Sequence, residues 1–472
     1  VLVGSVTAAG DLITVTAAGA IEESGADAAA DLTAATLGLN AVTGIGAAAP
    51  IETAATTISA DTTGGNIDLD NTLATAVTAS SLTTGTGDIL FSQAGGGALD
   101  VTLATTGTGD IGIDAAGADL TAATVTAGGV GGDVALTTTT TGDVLVGSVT
   151  AAGDLITVTA ADAIIDADHD QITVDGSGFA SSAGNTVNIT ADDVVLTAGG
   201  NIGSTTTAGK SPFDALDIQA NRITASGADV TIYEKGDMTV DQITATGVAN
   251  LMADGSIIDG NGAAANITCG SLITSAGNII GADVGGKIDA LEITINGSAH
   301  PDVWVNNVKE TDVDGSVYAF FDTVGGKAKP VAAAQSGSGA IIFINGQYVG
   351  GDPKYVNLIG AAESFAEETP ELKSRQGVFG NPIFLHDQMD INESVALGLI
   401  DFILAGKAIV VGDPEMSNDV TGDMDATGLS PTTSIWFKTK KAVESPAPEK
   451  AGQEKNGQAG VPKTMPLQVS AL

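Results

Sequence analysis

The sequence predicts an all-β chain built around a parallel β-helix of about 22 residues per coil, followed by a smaller α+β domain and an extended tail. Three observations predict it. A Gly-Asp/Asn-aliphatic step recurs at near-constant intervals, at Gly65-Asn66-Ile67, Gly87-Asp88-Ile89, Gly109-Asp110-Ile111, Gly132-Asp133-Val134 and Gly153-Asp154-Leu155. Between these steps run short Val-, Ile-, Leu- and Thr-rich segments with period-two alternation, such as Val187-Asn188-Ile189-Thr190, and no helical periodicity. A unit this short cannot bury its own apolar face, so units must stack, each strand pairing in parallel with its counterpart one coil away.

Longer phrases repeat as well. Residues 1–18 (VLVGSVTAAGDLITVTAA) recur word for word at 144–161, and ADLTAAT occurs at 30–36 and again, four periods later, at 118–124. The shift of the longer phrase is six and a half periods. That requires either a variable coil length or a half-unit, as Gly142-Asp143 to Gly153-Asp154 suggests. Glycine, Asp and Asn are expected at the corners, where φ > 0 is needed. A narrow aliphatic interior would explain the scarcity of aromatic rings. About 295 residues at this period give roughly 13 coils and, at about 4.8 Å per coil, a rod of roughly 60 Å.

Composition divides the chain. Residues 1–300 hold four aromatics (Phe91, Phe179, Phe213, Tyr233), and residues 301–472 hold the other 13. The first basic residue is Lys210; residues 1–300 carry 4 basic against 35 acidic groups, the remainder 13 against 22. These shifts place a boundary near 296–301, with a solenoid over 1–296, a globular α+β domain over 297–441 and a Pro/Lys-containing tail over 442–472. Within the α+β domain, residues 340–348 (AIIFINGQY) read as a hairpin around Asn345-Gly346. Asn392 caps an expected helix over 393–405 whose apolar face belongs in that domain's core, and residues 407–411 return as a strand.

With 57 Asp+Glu against 17 Lys+Arg, the net charge is −40, which argues against nucleic-acid binding and against polybasic membrane attachment. The chain is nonetheless 43% hydrophobic and 16% charged, a balance that favours folding over disorder. No apolar run is long enough to span a bilayer, so direct membrane insertion is not expected. Cys269 is the single cysteine, so no intrachain disulfide is possible. The first residue, Val1, falls inside a repeat phrase, from which a longer precursor is expected.

Candidate sites are few. Asp166-Ala167-Asp168-His169-Asp170 sets carboxylates at every second residue, an arrangement with the hard oxygens that Ca²⁺ takes; Gln171, where an EF-hand needs glycine, favours a solvated acidic turn instead. No catalytic or cofactor-binding residue is assigned. His169, His300 and His386 are in no metal-ligand spacing, and the stretch 128–132 lacks the Lys-Ser/Thr of a phosphate loop. A carbohydrate-cleaving carboxylate pair is the enzymatic alternative, but residues 1–209 hold no Lys or Arg and only two aromatics with which to grip a substrate. An edge-pairing contact is expected between Val1, Leu2 and Val3 of one subunit and Leu467, Val469 and Leu472 of another. Such a head-to-tail, heterologous contact would build a homopolymeric filament.

The repeat phrases, notably residues 188–202 (NITADDVVLTAGGNI), resemble those of filamentous-haemagglutinin-type exoproteins of two-partner secretion. The resemblance covers about residues 1–295; residues 301–472 are assigned to no family, and the family's N-terminal secretion domain is absent from this sequence. It implies a right-handed β-helix, export through an outer-membrane partner, and structural or adhesive work at a bacterial cell surface, toward glycans or neighbouring cells.

Overall fold

The computed structural model describes residues 1–25, 27–169, 173–174, 180–181, 185–203, 215–281, 289–296, 303–307, 318–324, 334–336, 341–344, 347–350, 383–384 and 409–410. Within the described residues of the first unit the strands stack as a parallel β-solenoid of about 12 turns, roughly 22 residues apart. Two compact units are distinguished, Val1–Lys309 with Val317–Ala340, and Glu310–Ser316 with Ile341–Leu472.

Period-two alternation sets each wall of the coil. In the strand Ile67–Asn71, Ile67, Leu69 and Asn71 are buried while Asp68 and Asp70 face outward. Parallel pairing then puts like on like. One column runs Ile21, Ile45, Ile67, Ile89, Ile111, Val134, Ile156, Val194, Ile223, Val240, one residue per coil. Every side chain in it is at most 1% exposed. Each buried Ile or Val contributes about 1.5–3 kcal/mol by leaving water, and the column supplies this at every turn. From Ile45 to Ile156 the steps keep to the period of the Gly-Asp/Asn repeat; the step from Ile156 to Val194 is much longer, and the one from Val194 to Ile223 is intermediate. Coil length therefore varies. Part of the long step is a small antiparallel pair, Thr173–Val174 with Ala180–Ser181.

The two identical phrases differ in place and agree in shape. Strand Val6–Ala17 carries a register shift between Ala8 and Leu12, and strand Val144–Ala160 carries the same shift between the equivalent Ala151 and Leu155. At the centre of each shift, Gly10 and Gly153 take φ of 85° and 90°. Val15 begins a column that continues through Leu39, Ala60, Leu82, Ala104 and Val125 to Val149. Val149 is the equivalent of Val6, not of Val15, so the second copy is displaced nine positions around the coil. Small aliphatics alternating with Thr and Ala fit either wall. The same bulge explains why Ile156, not the Leu155 that the Gly-Asp spacing selects, enters the column below Val134.

Aromatic rings are scarce in the solenoid but not excluded from its interior. Phe91, 1% exposed, stacks between Leu69 and Ile113, and the buried Tyr233 donates its hydroxyl to Asp254 Oδ1 at 2.6 Å. The parallel ladder also continues past residues 296–301. Val303–Asn307 pairs with Ser271–Ala276, and Tyr318–Thr323, with Phe321 1% exposed, pairs with Leu291–Ile295. The aromatic enrichment thus begins while coils are still being added. In the second unit, Ile341–Ile344 and Gln347–Gly350 form the antiparallel hairpin expected around Asn345-Gly346, and Ile409–Val410 pairs in parallel with Ile383–Phe384. The expected helix over 393–405 and the tail over 442–472 lie outside the described residues.

Candidate functional site

The repeated Asp/Asn has a structural task at each corner. Asp88 donates its backbone N–H to Asn66 Oδ1, Asp110 to Asp88 Oδ1, and Asp133 to Asp110 Oδ1, all at 3.0 Å, and Leu155 N–H closes the series on Asp133 Oδ1. Similar series run from Asp119 through Asp143 to Ala163 and from Asn201 through Asp229 to Val248. Each side chain binds the coil after its own. The preceding glycine is required by the approach of the backbones: at Gly109, φ is 135° and an added Cβ would lie 2.3 Å from Gly87 O.

A second polar system lies inside. Asn71 accepts from Thr53 Oγ1 and Ala55 N–H at 3.0 and 2.9 Å and donates to Gln93 Oε1 at 2.6 Å. Further along, Asn188 donates to Asp166 Oδ1 at 2.6 Å and accepts from Asp217 N–H, and Asp217 faces Lys235 Nζ at 3.9 Å. These ladders satisfy polar groups that the narrow core would otherwise leave stranded.

Asp166 and Asp168, spaced in the sequence as if to share a cation but read there as a solvated acidic turn, diverge. Asp166 is 1% exposed and points inward like Ile164, where it accepts from Asn188 and from Asp168 N–H at 3.0 Å; Asp168 is exposed. Asp170 lies outside the described residues. Val1 and Leu2 are exposed and Val3 is buried, with Leu2 and Val3 forming a short strand paired with Glu22–Glu23. Leu467, Val469 and Leu472 lie outside the described residues. Cys269 is buried, and burial pushes its thiol up to about 12, so it is protonated at neutral pH.

Several carboxyls are shifted upward. Burial, reinforced by Asp70, takes Asp68 to about 6 on the outward face of its strand. Burial takes Glu292 to about 7, with Asp259 adding to the shift. Glu234, 1% exposed, is taken by burial to about 8, although Ala220, Gly236 and Lys235 N–H groups pull the other way. Glu234 faces the core. Asp68 and Asp70 are half-buried on the outer face, and their neighbours in register on the following coil are Leu90 and Ser92, neither an aromatic platform nor a cation.

Among the described residues, one group of three carboxylates brings its oxygens within 4.8 Å of one another: Glu23, Asp31 and Glu52. Their uneven spacing along the chain matches no linear motif, so this group is invisible without the coil. Among the described residues, no helix is long and apolar enough to cross a membrane. No family profile, curated protein or solved structure matches the chain.

Proposed function

We propose that this chain is an extracellular structural or adhesive β-solenoid of a bacterial cell surface, with cell-surface glycans and further copies of itself as partners. The observation that carries the reading is how the carboxylates are used. Asp88, Asp110 and Asp133 join one coil to the next rather than converging on a cleft, as the side chains of a scaffold do. The lack of Lys and Arg in residues 1–209 supports it, because the surface so formed is acidic throughout and offers no site to trypsin. The likeness of the repeat phrases to filamentous-haemagglutinin-type exoproteins supports export and surface display.

Antibody against the solenoid should label intact source cells, and the purified chain should bind cells or immobilised surface glycans without altering them. A polysaccharide cleavage screen tests the opposing reading. Turnover that disappears on replacing Asp68 and Asp70 together would overturn the structural assignment.

A further inference from the structure

The geometry points to a calcium site at Glu23, Asp31 and Glu52, where two neighbouring passes of the chain meet on the solenoid. Backbone pairing builds it. Asp31 donates its N–H to Glu52 O at 2.8 Å and accepts at its own carbonyl from Val6 N–H at 2.7 Å, which fixes Asp31 between two neighbouring strands. Glu23 is delivered by its pairing with Val3, and Asp27 N–H, donating to Glu23 Oε1 at 3.0 Å, holds that carboxylate in place.

Three like charges brought this close repel, and no Lys or Arg comes before Lys210 in the sequence to offset them locally. A second observation is independent of the clustering. Asp31 is 8% exposed, and its buried Oδ2 and the buried Glu52 Oε2 receive no hydrogen bond from a protein donor; only a proton shared between the two carboxyls would join them. Buried carboxylate oxygens left unpaired cost free energy that a cation restores. Burial raises the affinity of both carboxyls for protons, and the nearby Glu23 carboxylate adds to it.

Calcium fits better than its competitors. The ligands are all carboxylate oxygens, which suit a hard cation and not the soft metals that prefer sulfur or imidazole. Oxygens within 4.8 Å of one another can lie on one sphere about 2.4 Å from Ca²⁺. The half-exposed Glu52 and Glu23 leave an open side for water, completing a coordination number that Ca²⁺ takes flexibly and Mg²⁺ only in a strict octahedron. Occupied, the site would tie residues 23, 31 and 52 together and lock the excursion between the first strands.

The test uses the full chain, stripped with chelator, at physiological ionic strength so that diffuse binding to the acidic surface is screened. Titration with CaCl₂, followed by isothermal calorimetry and by thermal unfolding, should show one saturable site and a rise in midpoint, with MgCl₂ weaker. Asp31→Asn and Glu52→Gln should each weaken binding by about tenfold or more. Asp114→Asn, an exposed carboxylate beyond the cluster, should leave it unchanged. Because the two test variants relieve repulsion, their chelated forms should unfold no earlier than the chelated parent. Absence of a saturable Ca²⁺ site, equal affinity in Asp31→Asn and the parent, or Mg²⁺ binding as tight as Ca²⁺ would overturn the assignment. If the charges are instead neutralised by a shared proton, the variants gain stability and Ca²⁺ has no effect, which also overturns it.

Discussion

Asp110 gives its backbone N–H to Asp88 Oδ1 at 3.0 Å, one coil away. The bond needs an acceptor at Asp88 but not a charge. Asp88→Ala should therefore lower stability by about 1 kcal/mol, the usual net value of such a bond. Asp88→Asn keeps that acceptor and removes one repelling charge, but it gives up the bond that Asn66 Nδ2 donates to Asp88 Oδ2 at 3.3 Å, so it should fall between Asp88→Ala and the parent. Urea midpoints decide it, and equal losses in both variants would show that the charge itself is the fastener.

Glu234 makes stability depend on pH in an unusual direction. Its ordinary value of 4.5 is raised by burial to about 8, so the folded state holds a proton that the unfolded chain releases. Stability from this group is fully present below about 4.5 and is lost as pH rises through that window to about 8. At about 1.36 kcal/mol per pH unit, the loss reaches at most about 5 kcal/mol. Glu292, raised to about 7, and Asp68, raised to about 6, act in the same sense over narrower windows. Denaturant midpoints measured from pH 5 to pH 8 should fall for the parent and fall less for Glu234→Gln; parallel curves would reject Glu234 as the source.

Two glycines with positive φ should respond differently to alanine. Gly109→Ala drives a Cβ to 2.3 Å from Gly87 O, a backbone atom that cannot swing away, so about 3 kcal/mol or more should be lost. At Gly10, where φ is 85°, an added Cβ meets nothing within 4 Å, and the cost is the left-handed conformation alone, about 1–2 kcal/mol. Thermal midpoints of the two variants should separate accordingly. A larger loss at Gly10 would contradict the close approach of coils at Gly109.

Stacked carboxylates also predict a salt response. Asp88, Asp110 and Asp133 succeed one another at about 4.8 Å per coil, inside the Debye length of about 8 Å at physiological ionic strength. Added NaCl should therefore raise the thermal midpoint. The rise should shrink when all three become Asn, and an unchanged slope would locate the repulsion elsewhere.

The coil is legible in the sequence because its signal repeats in phase: Gly-Asp-Ile at 87–89 and 109–111 is both the spacing and the contact. The long step from Ile156 to Val194 is not legible, since an excursion between coils leaves no periodic mark. The boundary suggested by aromatic content falls within the parallel ladder, because Phe321 packs inward as an aliphatic would. Asp166 belongs in the sequence to an acidic set spaced as if to share a cation, yet alternation from Ile164 turns it toward the core. Glu23 and Asp31 both stack on the pass that holds Val3 and Val6, Glu52 lies one pass further on, and only the three-dimensional register joins them.

The displaced copy of residues 1–18 bears on how such a solenoid changes length. If a phrase of this kind keeps its bulge and buries its aliphatics after moving nine positions around the coil, then a duplicated stretch of gene need not encode whole turns. Unequal crossing-over out of step with the coil can then still yield a chain that winds. Length becomes a trait that replication errors adjust in small increments, and selection can tune the reach of the molecule without first inventing a new fold.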